Sequence, residues 1–235
     1  MAEYIVQGTT LTAIADAVRA KKGTTEPIAL TDLANEIESI QSGGGSASNK
    51  LALVVGTQSA DNPYDITAND LEGVAELGGY ALYRKSGLRS IELPETCTSI
   101  GDWALQYCTS LPSIFMPNVR SIGRYALSFC YALTSVDMPN VESIGMYAFY
   151  DNSALTSLTI PSTCTSIGGG ALYCGTPTNK CTFTFEGSTP PTIEQNTFYG
   201  EYHINKIIVP AGCGETYKTA TYWSDLADYI EEATE

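Results

Sequence analysis

From Ala81 onward the chain repeats itself every 22 or 23 residues, and this period constrains its fold more tightly than any other feature. Four consecutive units stand in register: ALYRKSGLRSIELPETCTSIGDW (81–103), ALQYCTSLPSIFMPNVRSIGRY (104–125), ALSFCYALTSVDMPNVESIGMY (126–147) and AFYDNSALTSLTIPSTCTSIGGG (148–170). The pair Ile-Gly recurs at 100/101, 122/123, 144/145 and 167/168, and proline recurs at 94, 117, 139, 161 and 210. A unit this short cannot bury both of its faces. The fold must therefore be a solenoid in which each unit covers the next.

The physics of one unit is legible. Leu111, Ile114 and Met116 supply the inward side of a short strand, as do Leu133, Val136 and Met138, and then Leu155, Leu158 and Ile160. The proline that follows lacks an N–H and ends the ladder. A second short strand closes on Ile-Gly, where glycine is expected to permit a tight turn that a Cβ would strain. Ala-Leu or Ala-Phe then adds a second core layer. Successive strands stack at about 4.8 Å.

The repeats have irregular flanks. ITANDLEGVAELGGY (66–80) reads as an entry unit, and LALVV (51–55) as a strand. A degenerate fifth unit starts at Ala171 and carries the strand CTFTF, and another runs from Thr197 into IIVPAGCGETYKTA. The tail places Trp223, Leu226 and Ile230 on one face of an acidic helix, an expected C-terminal helical cap over 211–235. Its carboxylates, Asp225, Asp228, Glu231, Glu232 and Glu235, read as a solvated face.

Residues 1–41 form a separate helical module. Thr9 or Thr10 caps a first helix with Leu11, Ile14, Ala15 and Val18 on one face; Thr31 caps a second with Leu33, Ile37 and Ile40. Two helices of this size bury too little to stand alone, so they are expected to dock on a second copy or on a larger assembly. Residues 42–49, with SGGGSAS, are a flexible linker, and 50–235 are the repeat domain, with repeats over 80–210. The expected fold class is α+β, mostly β and irregular: a solenoid whose 22- to 23-residue units resemble leucine-rich repeats, with a small helical N-terminal module and a C-terminal helical cap.

Composition narrows the function. The net charge of −14 and the lack of a basic patch exclude phosphate-neutralising nucleic-acid binding. No run of about 18 apolar residues is present, so no membrane insertion is expected. MAEYIVQGTT lacks the basic and apolar regions of a signal peptide, which points to synthesis in a cytoplasm. The seven cysteines include no CxxC pair, and neither a zinc site nor a disulfide framework is expected. Cys97 and Cys164 share a column with Val119 and Val141 and read as core fillers; Cys108 and Cys130 share one with Asn152. His203 is the only histidine and has no partner motif, so a triad has no support. The expectation is a non-enzyme with no catalytic or metal site and no cofactor.

IGRYALSFCYALTSVDMP and IGMYAFYDNSALTSLTIP resemble the BspA-type (Treponema-pallidum-type) leucine-rich repeat family, and the resemblance extends over roughly residues 66–235. It implies that the column of Cys108, Cys130 and Asn152 is a small, inward-turned position, and it implies a binding protein, since the family includes bacterial surface adhesins and phage virion proteins. YIVQGTTLTAIADAVRAKKGTTEPIALTDLANEI is similar to the helical N-terminal module of phage structural proteins from Gram-positive gut bacteria. That similarity implies a virion protein attached to other virion proteins through residues 1–41. Leu11, Ile14, Val18, Leu33 and Ile37 are the candidate virion or oligomer contacts, and a homo-oligomer is expected. A capsid-attached head fibre or decoration protein, adhering to a host-surface protein or glycan, is the favoured role. The alternatives are a tail-attached receptor-binding protein and an adhesin of the bacterial cell surface.

Two surfaces are candidates for that contact. Tyr80, Trp103, Tyr125 and Tyr147 each precede the alanine of a unit, and stacking aligns them into an aromatic stripe suited to a protein interface or to sugar stacking. The family resemblance implies that this position is variable and partly exposed. The outward column of the first strand, Glu92, Phe115, Asp137 and Thr159, is the second candidate, with mixed chemistry that fits recognition or a solvated face.

Overall fold

The computed structural model describes residues 64–234, Asn69 excepted. The helical module 1–41 with its candidate contacts Leu11, Ile14, Val18, Leu33 and Ile37, the linker, and the strand expected at 51–55 lie outside the described residues.

Each coil carries two short parallel strands. The first face is built from β1 (Tyr64–Ile66), β3 (Leu88–Ile91), β5 (Ser113–Phe115), β7 (Ser135–Asp137), β9 (Ser157–Ile160), β11 (Cys181–Phe185), β13 (Ile204–Val209) and β14 (Ile230–Glu232). These bond in three blocks, β1–β3, β5–β7 and β9–β11–β13–β14, with a Glu92–Phe115 bridge joining β3 to β5. The second face is a continuous six-stranded sheet of two-residue strands: β2 (Glu76–Leu77), β4 (Ser99–Ile100), β6 (Ser121–Ile122), β8 (Ser143–Ile144), β10 (Ser166–Ile167) and β12 (Thr192–Ile193). Ile100, Ile122, Ile144, Ile167 and Ile193 lie in one register and are all buried. Leu82, Leu105, Leu127, Phe149 and Leu172 form the second core layer, with no exposed surface to speak of.

A third side has no strands, yet it is laddered as tightly as the other two. The amides of Trp103, Leu105 and Tyr107 donate to the carbonyls of Arg124, Ala126 and Ser128 in the next coil, at 2.8, 2.8 and 3.0 Å. The intervening amides of Ala104, Gln106 and Cys108 donate back to Gly101, Trp103 and Leu105 in their own coil. Every backbone amide from 103 to 108 is thus satisfied, alternately between coils and within one. The same pattern recurs with Tyr125, Leu127 and Phe129 donating to Met146, Ala148 and Tyr150.

The Ile-Gly glycines serve a different purpose from the one expected. Gly101, Gly123, Gly145 and Gly168 are not among the residues with positive φ, so no forbidden turn conformation is at stake. A Cβ at these positions would instead lie 2.6–2.7 Å from main-chain atoms of the preceding coil. Their amides bond that coil at the carbonyls of Leu77, Ile100, Ile122 and Ile144, at 2.7–2.9 Å. Glycine is required here by close approach of two backbones.

The C-terminal cap also departs from the expected helix. Trp223, Leu226 and Ile230 are all buried, but they sit on three different structures. A short helix α1 (Gly214–Lys218) and a 3-10 turn (Ser224–Tyr229) lead into β14, which extends the first face beside β13. Trp223 follows α1, packs against Phe185 and Tyr217, and donates its indole N–H to the Pro191 carbonyl at 3.0 Å. The unpaired edge of β13 takes Ile230-Glu-Glu as a strand because that satisfies its backbone. The new edge is then acidic, which discourages further pairing. Glu231 pairs with Lys206, and Glu232 accepts the amides of Gly212 and Gly214, which hold its carboxyl below the usual range.

One buried polar column runs through the stack. The Cys108 and Cys130 thiols donate to the carbonyls of Leu82 and Leu105 at 3.3 Å, and Asn152 Nδ2 donates to Leu127 at 3.0 Å. Burial pushes the Cys130 thiol up to about 12, which keeps it protonated and unreactive. The lone histidine continues this column, with His203 Nε2 donating to the Leu172 carbonyl at 3.2 Å. Its ring is fully buried and packs against Tyr173, while Nδ1 finds no partner among the described residues.

Two outcomes follow from this packing. Gly145→Ala should cost about 1–3 kcal/mol, because its methyl meets only backbone and nothing flexible can yield; an unchanged chemical-denaturation midpoint would contradict the close approach. Burial lowers the His203 pKa from 6.5 to about 4, so the unfolded chain takes up the proton first as pH falls. Stability held above pH 6.5 should therefore decline toward pH 4 by up to about 3 kcal/mol. Melting curves of His203→Asn, which borrows the residue used at 152, should decline less over that window.

Candidate functional site

The third ladder positions the side chains of the aromatic stripe. Tyr80, Trp103, Tyr125 and Tyr147 all adopt left-handed backbone, with φ of 53–60°. That conformation costs a bulky residue on the order of 1 kcal/mol. It is held by the inter-coil amide bond each residue makes and by its ring. Tyr80 stacks on Trp103 at 4.9 Å between centroids, Trp103 on Tyr125 at 6.0 Å, and Tyr125 on Tyr147 at 4.8 Å, with interplanar angles of 9–17°. Such pairs contribute roughly 0.5–1.5 kcal/mol each beyond burial. The next coil places Gly170 in the same column at φ 65°, and a Cβ there would meet the Tyr147 ring at 2.3 Å. The stack ends because the Tyr147 ring fills the space above that glycine.

A second aromatic row runs beside the first. Tyr107 stacks on Phe129 at 4.6 Å, and Tyr150 on Tyr173 at 4.8 Å; Phe129 meets Tyr150 edge to face. Tyr83 joins the rows at one end and Tyr150 joins them through Tyr147. Tyr199 stands edge-on to Tyr147, Tyr150 and Tyr173, and the Tyr173 and Tyr202 hydroxyls bond at 2.6 Å. That bond and partial burial push the Tyr173 phenol upward, and burial raises Tyr150. Arg84 lies over Tyr83 and Tyr107 at 5.2 and 5.4 Å, and Arg124 over Trp103 at 5.8 Å. Tyr80, Tyr199 and Tyr202 are about half exposed, and most of the other rings are partly so.

The belt is therefore wider than the four residues read from the sequence. Its second row follows the first by three or four residues, as in Tyr80/Tyr83, Trp103/Tyr107, Tyr125/Phe129 and Tyr147/Tyr150. That spacing was a signal available in the sequence.

Stacking decides what the belt can offer. The faces of Trp103 and Tyr125 are occupied by neighbouring rings on both sides. A pyranose stacks on an open ring face, and these rings present edges and polar tips instead. Rigid ring edges, phenol hydroxyls and flanking arginines are the composition of protein contact surfaces.

The strand-face candidates occupy a different side. Glu92, Phe115, Asp137 and Thr159 are all exposed in one column, Phe115 at 54% between two carboxylates. No ring stacking supports this column. A shallow groove on the second face is lined by Ser143-Ile144-Gly145, Ser166-Ile167-Gly168 and Glu194.

The BspA type leucine rich repeat region, in six copies, matches residues 75–205 and 121–229. No curated protein sequence matches the chain. Among solved structures, the pneumococcal vaccine antigen PcpA is similar at 20% identity over 76% of this chain and 42% of that one, with a TM-score of 0.59. The T. pallidum leucine rich repeat protein matches at 26% identity over 47% and 52%, with a TM-score of 0.43. A leucine rich cell surface protein from Faecalibacterium prausnitzii matches at 24% over 65% and 49%, with a TM-score of 0.47. The matched region spans about half the length of these proteins. With its repeats matched from 75 to 229, the chain belongs to the BspA-type leucine-rich repeat family.

Proposed function

We propose that this chain is a non-enzymatic adhesion protein that binds a protein partner through its aromatic belt. The continuous belt of rings on the third side carries the reading, since exposed aromatic surface at this scale marks contact. The solenoid is a scaffold of a kind that typically serves protein–protein interaction. The similarity of residues 1–41 to phage structural modules supports attachment to a virion, as a capsid head fibre or decoration, with a tail-attached receptor-binding protein as the alternative. Many copies on one particle would convert weak single contacts into avidity. The family's bacterial adhesins supply the second reading, the same belt displayed on a cell surface.

The test is binding of the fluorescent full chain to intact gut bacteria and to mucosal surface, with Trp103→Asn/Tyr125→Asn as the belt variant. Asparagine tolerates left-handed backbone, so the ring is removed with little strain. The variant should bind at least about tenfold more weakly, as loss of central aromatic anchors implies. Protease treatment of the target should abolish wild-type binding, and periodate oxidation of its glycans should leave it intact. Undiminished binding by the variant, or binding lost only to periodate, would sink the proposal.

A further inference from the structure

We propose that Cys174 and Cys181 close a disulfide that clamps the base of the loop at 175–180. The other buried thiols of the repeats point at backbone carbonyls: Cys97 at Ser99, Cys108 at Leu82, Cys130 at Leu105 and Cys164 at Ser166. Cys174 and Cys181 face each other, with Sγ atoms 3.4 Å apart and both fully buried; the Cys181 thiol has the Thr182 carbonyl as a longer second contact at 3.8 Å.

The repeat geometry explains why they meet. In the fourth coil, the buried column residue Asn152 is followed three positions later by the inner Leu155. In the fifth coil Cys174 bridges Asn152 and so holds the column place, while Cys181 opens β11 as an inner residue paired with Ile204. Seven positions now separate two places that the stack keeps close. The surplus chain leaves as a loop, closed by mutual amide–carbonyl bonds between Thr176 and Asn179 at 2.9 and 3.2 Å, with 177–180 exposed. Gly175, at φ 79°, brings the loop's base against Cys181: a Cβ at 175 would lie 3.4 Å from the Cys181 Cβ. The two sulfurs need to close little more than an ångström to reach bonding distance, roughly 2.05 Å.

The oxidant is a low-molecular-weight disulfide such as oxidised glutathione. One cysteine thiolate attacks a glutathione sulfur and releases one reduced glutathione. The second thiolate then attacks the mixed disulfide and releases another, so two protein thiols become one disulfide and one glutathione disulfide becomes two thiols. Burial excludes the oxidant from the closed coil, so exchange belongs to the folding chain, before β11 seals over the pair. The same burial then shields the bond from reductant. This inference stands apart from the belt and requires that the chain fold in an oxidising location, which the cell-surface reading supplies and folding in a reducing cytoplasm does not.

The experiment refolds the full chain in a mixture of oxidised and reduced glutathione, alkylates it in denaturant so that every free thiol is reached, and digests it without reductant using trypsin and chymotrypsin. Cleavage after Tyr173, Lys180 and Phe183 yields CGTPTNK and CTF. The two are expected as one species whose mass is their sum less two hydrogens, separating on reduction, with the other five cysteines alkylated. Recovery of both peptides alkylated from folded protein, or of Cys174 joined to any other cysteine, overturns the proposal.

Discussion

Successive coils lie backbone to backbone at the Ile-Gly step, where the glycine amide bonds the coil before it and a Cβ would fall 2.6–2.7 Å from main-chain atoms. This contact sets the spacing of the whole molecule. It puts Ile100, Ile122, Ile144 and Ile167 in a single register, and it brings the third side near enough for amides at alternate positions to reach the next coil. Had the coils stood a methyl group further apart, the two-residue strands of the second face would bury too little to hold each other.

The belt is a consequence of that spacing. Left-handed backbone at Tyr80, Trp103, Tyr125 and Tyr147 sends their amides to the next coil and their rings outward. Rings held at the stack's own repeat cover one another's faces. What solvent meets along Trp103 and Tyr125 is a line of edges and a hydroxyl, flanked by Arg84 and Arg124. The one histidine and the column residues Cys108 and Cys130 serve the interior, as donors to leucine carbonyls that the ladder leaves available.

Much of this was legible in the sequence, because a repeat turns each column of letters into a column of space. The inner residues and the alignment of the aromatic stripe follow from register alone, and the inward turn of the Cys/Asn column from the family resemblance. Other features turn on contacts between coils, which a single unit does not contain. The Ile-Gly glycine reads as a turn residue within one unit, and only the neighbouring backbone reveals it as a close-approach position. The second aromatic row was present at three- and four-residue offsets, but its link to the first depends on left-handed backbone at Trp103 and Tyr107. Trp223, Leu226 and Ile230 carry helical spacing. The exposed edge of β13 nonetheless draws Ile230 into a strand, a tertiary demand that local pattern does not encode.

The third side is a rigid ladder, as much part of the cooperative stack as the two sheets. Native-state hydrogen exchange measured amide by amide distinguishes such a ladder from loose turns. The amides of Trp103, Leu105, Tyr107, Tyr125, Leu127 and Phe129 should exchange only through global unfolding, with the same free energy as Ile114 and Ile122 in the strands. Exchange of these six through low-energy local opening, while the strand amides stay protected, would show that the belt rests on loose turns and would contradict the account.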